Sequence, residues 1–263
     1  MTSETSSTRP GSGAPHPALV LVAHGSRDPR ALATVRTLAR RVRERRPHLA
    51  VHLGHIELNE PLLPDVLAAL PAGSRAGAVL VPLLLSRGYH VKRDLPAAAA
   101  AAGHLRTRVA APLGPHPLLV DVLHDRLREA GWPAGPGERE RRRAGVVLAA
   151  SGSRDPEAAV DTARTAALLA HRLGVPVLPA YASGPGPGVA AAARALAARG
   201  RHHAALASYF TAPGRFATEA ATAFDGVVAA PLGAHPGLAR LALHRYDSAL
   251  RAPAGPARHL APA

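Results

Sequence analysis

Three side chains in the N-terminal half of this 263-residue chain are of types that bind metals and move protons: His24, Glu57 and His90. Each comes at or just after an apolar run. ALVLVA ends immediately before His24, Glu57 sits near the end of Val51–Leu58, and His90 follows Ala78–Leu85 after the turn Ser86-Arg87-Gly88-Tyr89. Two imidazoles and a carboxylate suit borderline divalent metals such as iron(II), cobalt(II), nickel(II) and zinc. Neutral imidazole also accepts protons near neutral pH. Taken singly, each residue has a plainer reading. His24 could cap the next helix or bond a loop carbonyl, Glu57 could be one more rim carboxylate, and His90 could open a solvated helix. Their common placement singles them out.

That placement follows from the elements the sequence predicts. The expected order is a strand at Ala18–Ala23, a helix over Pro29–Arg46, a strand at Val51–Leu58 and a short helix over Pro61–Leu70. A strand at Ala78–Leu85, a helix from near Lys92, a strand over Arg108–Leu113 and a helix from Pro117 follow. Apolar Leu32, Val35, Leu38, Ala39 and Val42 recur on one face of the first helix. Asp28 is placed to cap it, with Pro29 at its first position. Strand–helix alternation predicts a parallel sheet covered on both faces. In such sheets ligands bind outside the carboxyl ends of the strands. His24, Glu57 and His90 therefore converge on one edge.

The pattern then repeats. SGSRDP at Ser151–Pro156 echoes HGSRDP at His24–Pro29, and VAAPLGAHP at Val228–Pro236 echoes VAAPLGPHP at Val109–Pro117 with one mismatch. Two motifs in the same order at nearly equal offsets indicate an internal duplication of a unit of about 120 residues, an ordinary domain size. The expected organisation is a disordered tail (1–17), a catalytic lobe (18–130), a linker (131–143), a degenerate lobe (144–251) and a flexible tail (252–263). The second copy has Ser151 where the first has His24. It has no acid in VPVLPAYASG to match Glu57, and it has Phe216 opposite His90. The shared motifs read as scaffold and the trio as a site belonging to one copy. His116 and His235 occur in both copies, which predicts a loop-fixing role for them.

Composition bounds the rest. The chain has no cysteine, so metal ligands must come from His, Asp or Glu. Its net charge is +14, and Lys92 is its only lysine. A basic balance suits an anionic partner, nucleic acid or acidic small molecule, and an Arg- and Ala-rich composition bias accounts for it equally well. Aromatic residues make up 3%, which argues against a stacking platform for single-stranded nucleic acid. No run is long enough to span a bilayer, and the N-terminus lacks a signal-peptide core. The expectation is a cytoplasmic protein that binds neither nucleic acid nor membrane.

The segments LVAHGSRDPR (Leu21–Arg30), IELNEP (Ile56–Pro61), VPLLLSRGYHVKRDLP (Val81–Pro96) and APLGPHP (Ala111–Pro117) resemble the sirohydrochlorin chelatases of the CbiX type, within the class II chelatases. The resemblance implies two similar α/β lobes facing across a cleft that holds the macrocycle. It implies insertion of iron(II), first, or cobalt(II) into sirohydrochlorin for sirohaem or cobalamin, with nickel(II) compatible and no cofactor beyond the substrate metal. It assigns metal binding and proton removal to His24 and His90, assisted by Glu57. Ser26, Arg27, Arg87, Gly88, Lys92 and Arg93, beside these motifs, are the expected substrate-binding residues. One chain supplies both lobes, so a monomer or a homodimer is compatible. The family usually has an aromatic or apolar residue where this chain has His55. Strand alternation puts His55 on the face of Glu57, either as a third imidazole at the metal or as a partly buried histidine with one hydrogen bond. The alternative function is a tetrapyrrole or metal carrier without turnover. A phosphoryl-transfer reading of His24 is weak, because Ala23 stands where histidine phosphatases place Arg. A dinucleotide site would need G-x-G-x-x-G after the first strand, which is lacking.

Overall fold

The computed structural model describes residues 16–72, 77–133 and 137–252. The first sheet is built from β1 (Ala18–Ala23), β2 (Val51–His55), β3 (Gly77–Pro82) and β4 (Arg106–Val109). Its order is β2-β1-β3-β4 and every pairing is parallel. The connecting helices are α1 (Pro29–Arg45), α2 (Leu63–Ala68), α3 (Leu95–Ala101) and α4 (Pro117–Glu129). Asp28 caps α1, accepting from the Arg30 amide at 2.9 Å.

The second half repeats this plan. After the short helix α5 (Glu138–Arg143), β5 (Ala144–Ala150), β6 (Val177–Tyr181), β7 (His203–Tyr209) and β8 (Val227–Val228) form a parallel sheet of order β6-β5-β7-β8. Its helices are α6 (Pro156–Leu173), α7 (Val189–Ala197), α8 (Arg215–Thr222) and α9 (Pro236–Arg251). Identical strand order in the two halves is the structural form of the duplicated motifs.

Several elements depart from expectation: β3 ends at Pro82 and not at Leu85, and β4 lies at Arg106–Val109 and not at Arg108–Leu113. The predicted linker contains α5, whose ERERRR sequence puts acids in the first turn and arginines in the last, matching the helix dipole. β2 stops at His55 because the chain turns there. The His55 amide donates to Pro61 O at 3.1 Å, and Leu58 adopts a left-handed φ of 66°. Alternation along a strand therefore does not extend to Glu57. The expected tails fall outside the described residues except at their inner ends, which are fixed. Pro17 O accepts from the Tyr246 hydroxyl and Ala252 O from Arg108 Nη1, each at 2.6 Å.

The closing helices change sides. α9 packs on β3, β4 and α1 of the first half, while α4 packs on β7 and α6 of the second. The central core is consequently shared. Leu19, Leu21 and Val81 of the first sheet belong to the same buried cluster as Val146 and Leu148 of the second, with Leu119 and Leu123 of α4 and Leu238 and Leu241 of α9. Two outer cores are private to each sheet. Val20, Val22 and Leu80 meet α2 and α3, and Val147, Ala149 and Leu206 meet α7 and α8. No helix among the described residues is long and apolar enough to cross a membrane.

Candidate active site

The strand order explains why the predicted trio meets. β1 lies between β2 and β3, so the loops leaving β2, β1 and β3 are neighbours at one sheet edge. They carry Glu57, His24 and His90 respectively. The His24 and His90 rings stand edge to face with centroids 4.7 Å apart. His24 Nδ1 lies 3.5 Å from Glu57 Oε1, and both side chains are about half exposed. Among the described residues, no group of three or more His, Asp or Glu side chains stands ready to hold a metal ion, so the trio is a set of neighbours and not a formed metal site.

Backbone contacts hold these loops together. The Glu57 amide donates to His24 O at 3.0 Å. Gly25, at φ 105°, lies so close to Glu57 that a β-carbon there would be 1.8 Å from the Glu57 carbonyl oxygen. A side chain at residue 25 is therefore excluded both by φ and by space. Gly152 repeats this against Ser183 O, also at 1.8 Å, which identifies Ser183 as the counterpart of Glu57 in the second copy. The second copy thus has Ser151, Ser183 and Phe216 at the three positions. The Arg215 guanidinium stacks over Phe216, 4.6 Å from the ring centre.

His90 opens a single π-helical turn, His90–Asp94, that runs straight into α3. Such turns are uncommon and concentrate at functional sites. Nδ1 of His90 donates to Asp94 Oδ2 at 2.6 Å, which leaves Nε2 as the free ring nitrogen. Asp94 escaped the sequence reading. Its signal was the four-residue spacing from His90, visible only once both residues are known to lie on one helical stretch.

The expected substrate-binding residues divide into two groups. Arg27 and Arg93 are exposed on the wall of the cleft. Lys92 also lines it, Arg87 does not, and both are engaged with the other lobe. Arg87 pairs with Asp161 at 2.7 Å and Glu157 at 3.0 Å, and Lys92 pairs with Asp155 at 2.7 Å and with Glu157. Asp155 holds Lys92 above the usual lysine range, and Lys92 in turn holds the Asp155 carboxyl below the usual carboxylate range. Ser26 spends its polar atoms locally: its amide donates to Asn59 Oδ1 at 2.8 Å, and its hydroxyl accepts from the Asp28 amide at 3.1 Å. Gly88 faces Ser153, the counterpart of Ser26, and Gly214 faces Ser26 in the same way; a β-carbon on either glycine would meet the serine Oγ at 3.8 Å.

His55 lies behind the cluster, 1% exposed. Its Nδ1 donates to Pro61 O at 3.2 Å, while Nε2 is buried with no partner. Burial holds its pKa below the ordinary histidine range. Among the described residues it forms no metal-ready group with the trio. His116 and His235 cap α4 and α9, their Nδ1 atoms accepting from the Leu118 and Gly237 amides at 3.1 Å. This is the loop-fixing role that their presence in both copies predicts.

The two lobes enclose a cleft of about 1670 Å³, with the trio on one wall and the SGSR loop and Phe216 on the other. That exceeds the roughly 300–1,000 Å³ of common small-molecule pockets and suits a large, flat ligand. Two exposed large apolar side chains, Leu58 and Tyr89, adjoin Glu57 and His90 on its rim.

Comparison with known proteins points the same way. The family model described as CbiX matches residues 18–130 and again 145–249. A sirohydrochlorin cobaltochelatase of Methanococcus aeolicus is 37% identical over 79 residues, 30% of this chain, and the match spans about half of that relative's length, 55%. A sirohydrochlorin cobaltochelatase of Sulfolobus acidocaldarius is 31% identical over 113 residues, 43% of this chain and 90% of that one. In fold, the chain is similar to SirB from Bacillus subtilis with Fe3+, with a TM-score of 0.71, 21% identity, and coverage of 88% of this chain and 94% of that one.

Proposed function

The chain belongs to the CbiX family, and from that premise we propose that it is a sirohydrochlorin chelatase, a lyase that inserts a divalent metal into the macrocycle in the cleft between its lobes. The observation that carries this reading is the His24–His90 pair, edge to face at 4.7 Å, with Glu57 beside it on one wall of a cleft large enough for a tetrapyrrole.

The chemistry has two requirements. The metal must exchange water for ring nitrogens, and two pyrrole protons must leave. Neutral imidazoles meet both, first as metal ligands and then as proton acceptors. His90, held through Nδ1 by Asp94, offers Nε2. Glu57 beside His24 either orients that ring or completes the metal's coordination.

The macrocycle is rimmed with carboxylates, and Arg27 and Arg93 are placed to receive them. Arg154 is the second copy's counterpart of Arg27, and it is exposed on the opposite wall. Leu58 and Tyr89 supply apolar contact for the ring plane. A single chain provides both walls, so a monomer suffices. Iron(II) is the proposed metal, with cobalt(II) next; the donor set accepts both, and supply decides.

The test is anaerobic metallation of sirohydrochlorin by iron(II), cobalt(II) and nickel(II), followed by absorbance, with wild type beside His24→Ala. Turnover in wild type and its loss in the variant is the expected result. A stoichiometric spectral change without turnover would make the protein a carrier and overturn the reading.

A further inference from the structure

The loop that carries His90 is held chiefly by the lobe that lacks the trio. Asp161 of α6, only 3% exposed, accepts the Arg87 backbone amide at 2.8 Å. It also takes that residue's guanidinium through Nε at 3.0 Å and Nη2 at 2.7 Å. Glu157 takes Nη1 at 3.0 Å, and Asp155 with Glu157 takes Lys92. Arg87 is three residues before His90 and Lys92 two after it, so the imidazole sits between two anchors. The preceding backbone is fixed from the same side. Thr211 Oγ1 donates to Leu83 O and the Tyr209 hydroxyl to Leu85 O, both at 2.9 Å.

The arrangement runs one way. In the first copy the counterparts of Asp155, Glu157 and Asp161 are Asp28, Arg30 and Thr34; in the second, the counterparts of Arg87 and Lys92 are Pro213 and Thr218. Asp28 pairs with Arg30 within its own helix start. At two of the three positions, Glu157 and Asp161, the second lobe has carboxylates where the first has none, and with Asp155 they face cations that only the first lobe carries. A nearly buried carboxylate bound by a backbone amide and a forked guanidinium fixes geometry far more tightly than an exposed pair.

We propose that Asp161, with Glu157 and Asp155, forms an inter-lobe latch that positions His90 for metal transfer, so that the second lobe acts on the reaction through Arg87 and Lys92. Asp161 is a positioning residue, and Arg87 serves the latch instead of the substrate's carboxylates. The proposal rests on the chelatase reading above.

Steady-state metallation of sirohydrochlorin with Asp161→Asn, Arg87→Ala and the double variant tests it. Each single change is expected to lower kcat about 10–100-fold, the usual effect of losing a residue that orients a metal-handling histidine. KM for sirohydrochlorin should stay unchanged, and the double variant should be no worse than either single one. Glu157→Gln, at a half-exposed site, gives a smaller loss in the same direction and serves if Asp161→Asn does not fold. Wild-type kcat in Asp161→Asn, or in Glu157→Gln where the former does not fold, overturns the latch; so does a raised KM with unchanged kcat in Arg87→Ala. An inactive wild type would sink the chelatase reading alone. The latch would then be judged by titrating the chain with cobalt(II), where Asp161→Asn, or Glu157→Gln in its place, must weaken binding relative to wild type, and equal affinity overturns it.

Discussion

Nδ1 of His90 and Oδ2 of Asp94 are 2.6 Å apart across a single π-helical turn. The carboxylate fixes both the tautomer and the direction of the ring, which a solvated histidine would lack. Asp94→Ala should lower the metallation rate about 10–100-fold while the circular dichroism spectrum stays that of wild type. An unchanged rate would leave the contact without a role in the reaction.

The trio itself makes the strongest demand. His24→Ala and His90→Ala should each reduce metallation by at least about 100-fold, the lower range for losing a proton-accepting group. Glu57→Gln should cost about tenfold, since it orients or assists. The corresponding changes in the second copy, at Ser151 and Ser183, should leave the rate near wild type. Equal sensitivity of the two copies would contradict a single site.

Gly25 and Gly152 separate scaffold from chemistry. Both are at positive φ, and both would drive a β-carbon into a carbonyl oxygen 1.8 Å away. Either change to Ala should lower stability by about 1–3 kcal/mol or more, read as a fall in melting temperature. Only Gly25→Ala should also displace His24 from Glu57 and lose most of its activity at a temperature where both variants are folded.

His55→Phe should be tolerated. The wild-type side chain buries a nitrogen with no partner, a cost that an apolar ring of similar shape removes. The expected outcome is unchanged metallation with an equal or higher melting temperature. Loss of activity would restore His55 as a third imidazole at the metal.

Acid should destabilise the fold through its capping histidines before the carboxylates titrate. Burial, aided by Arg245 and His244, lowers His116 from 6.5 to about 4, and burial lowers His235 in the same direction. Both accept an amide at Nδ1, which requires the neutral ring. Below pH 6.5 the unfolded chain takes up these protons while the native state refuses them. The stabilisation from His116 is thus complete above 6.5 and is lost as pH falls towards about 4, and that from His235 declines in the same direction. Thermal melts should show the melting temperature falling across that window. His116→Asn, which keeps a capping oxygen, should flatten the fall.

Much of the first lobe can be read from the chain because its signals are local. β1 is a pure apolar run, Asp28-Pro29 marks the start of α1, and parallel strands put His24 and His90 on one edge without any long-range knowledge. The end of β2 was overrun because Ile56, Glu57 and Leu58 keep a strand-like pattern while Pro61 draws the chain into a turn. Arg87 and Lys92 looked like substrate contacts because sequence records their charge and not their partners. Asp161 lies on the far side of a lobe boundary, and no spacing rule links it to Arg87. The apolar faces of α4 and α9 are equally plain in the sequence, yet amphipathic periodicity does not say which sheet a helix will cover.

The exchange of α4 and α9 has a consequence for how such a chain can change. Neither half can seal its own sheet, so a protein with one copy would depend on meeting a second, at a rate set by its concentration. Joining the copies makes that encounter intramolecular and effectively permanent. Once the partnership is covalent, the two halves need no longer be interchangeable. One can give up its reactive groups at Ser151, Ser183 and Phe216 and take on carboxylates that brace its neighbour.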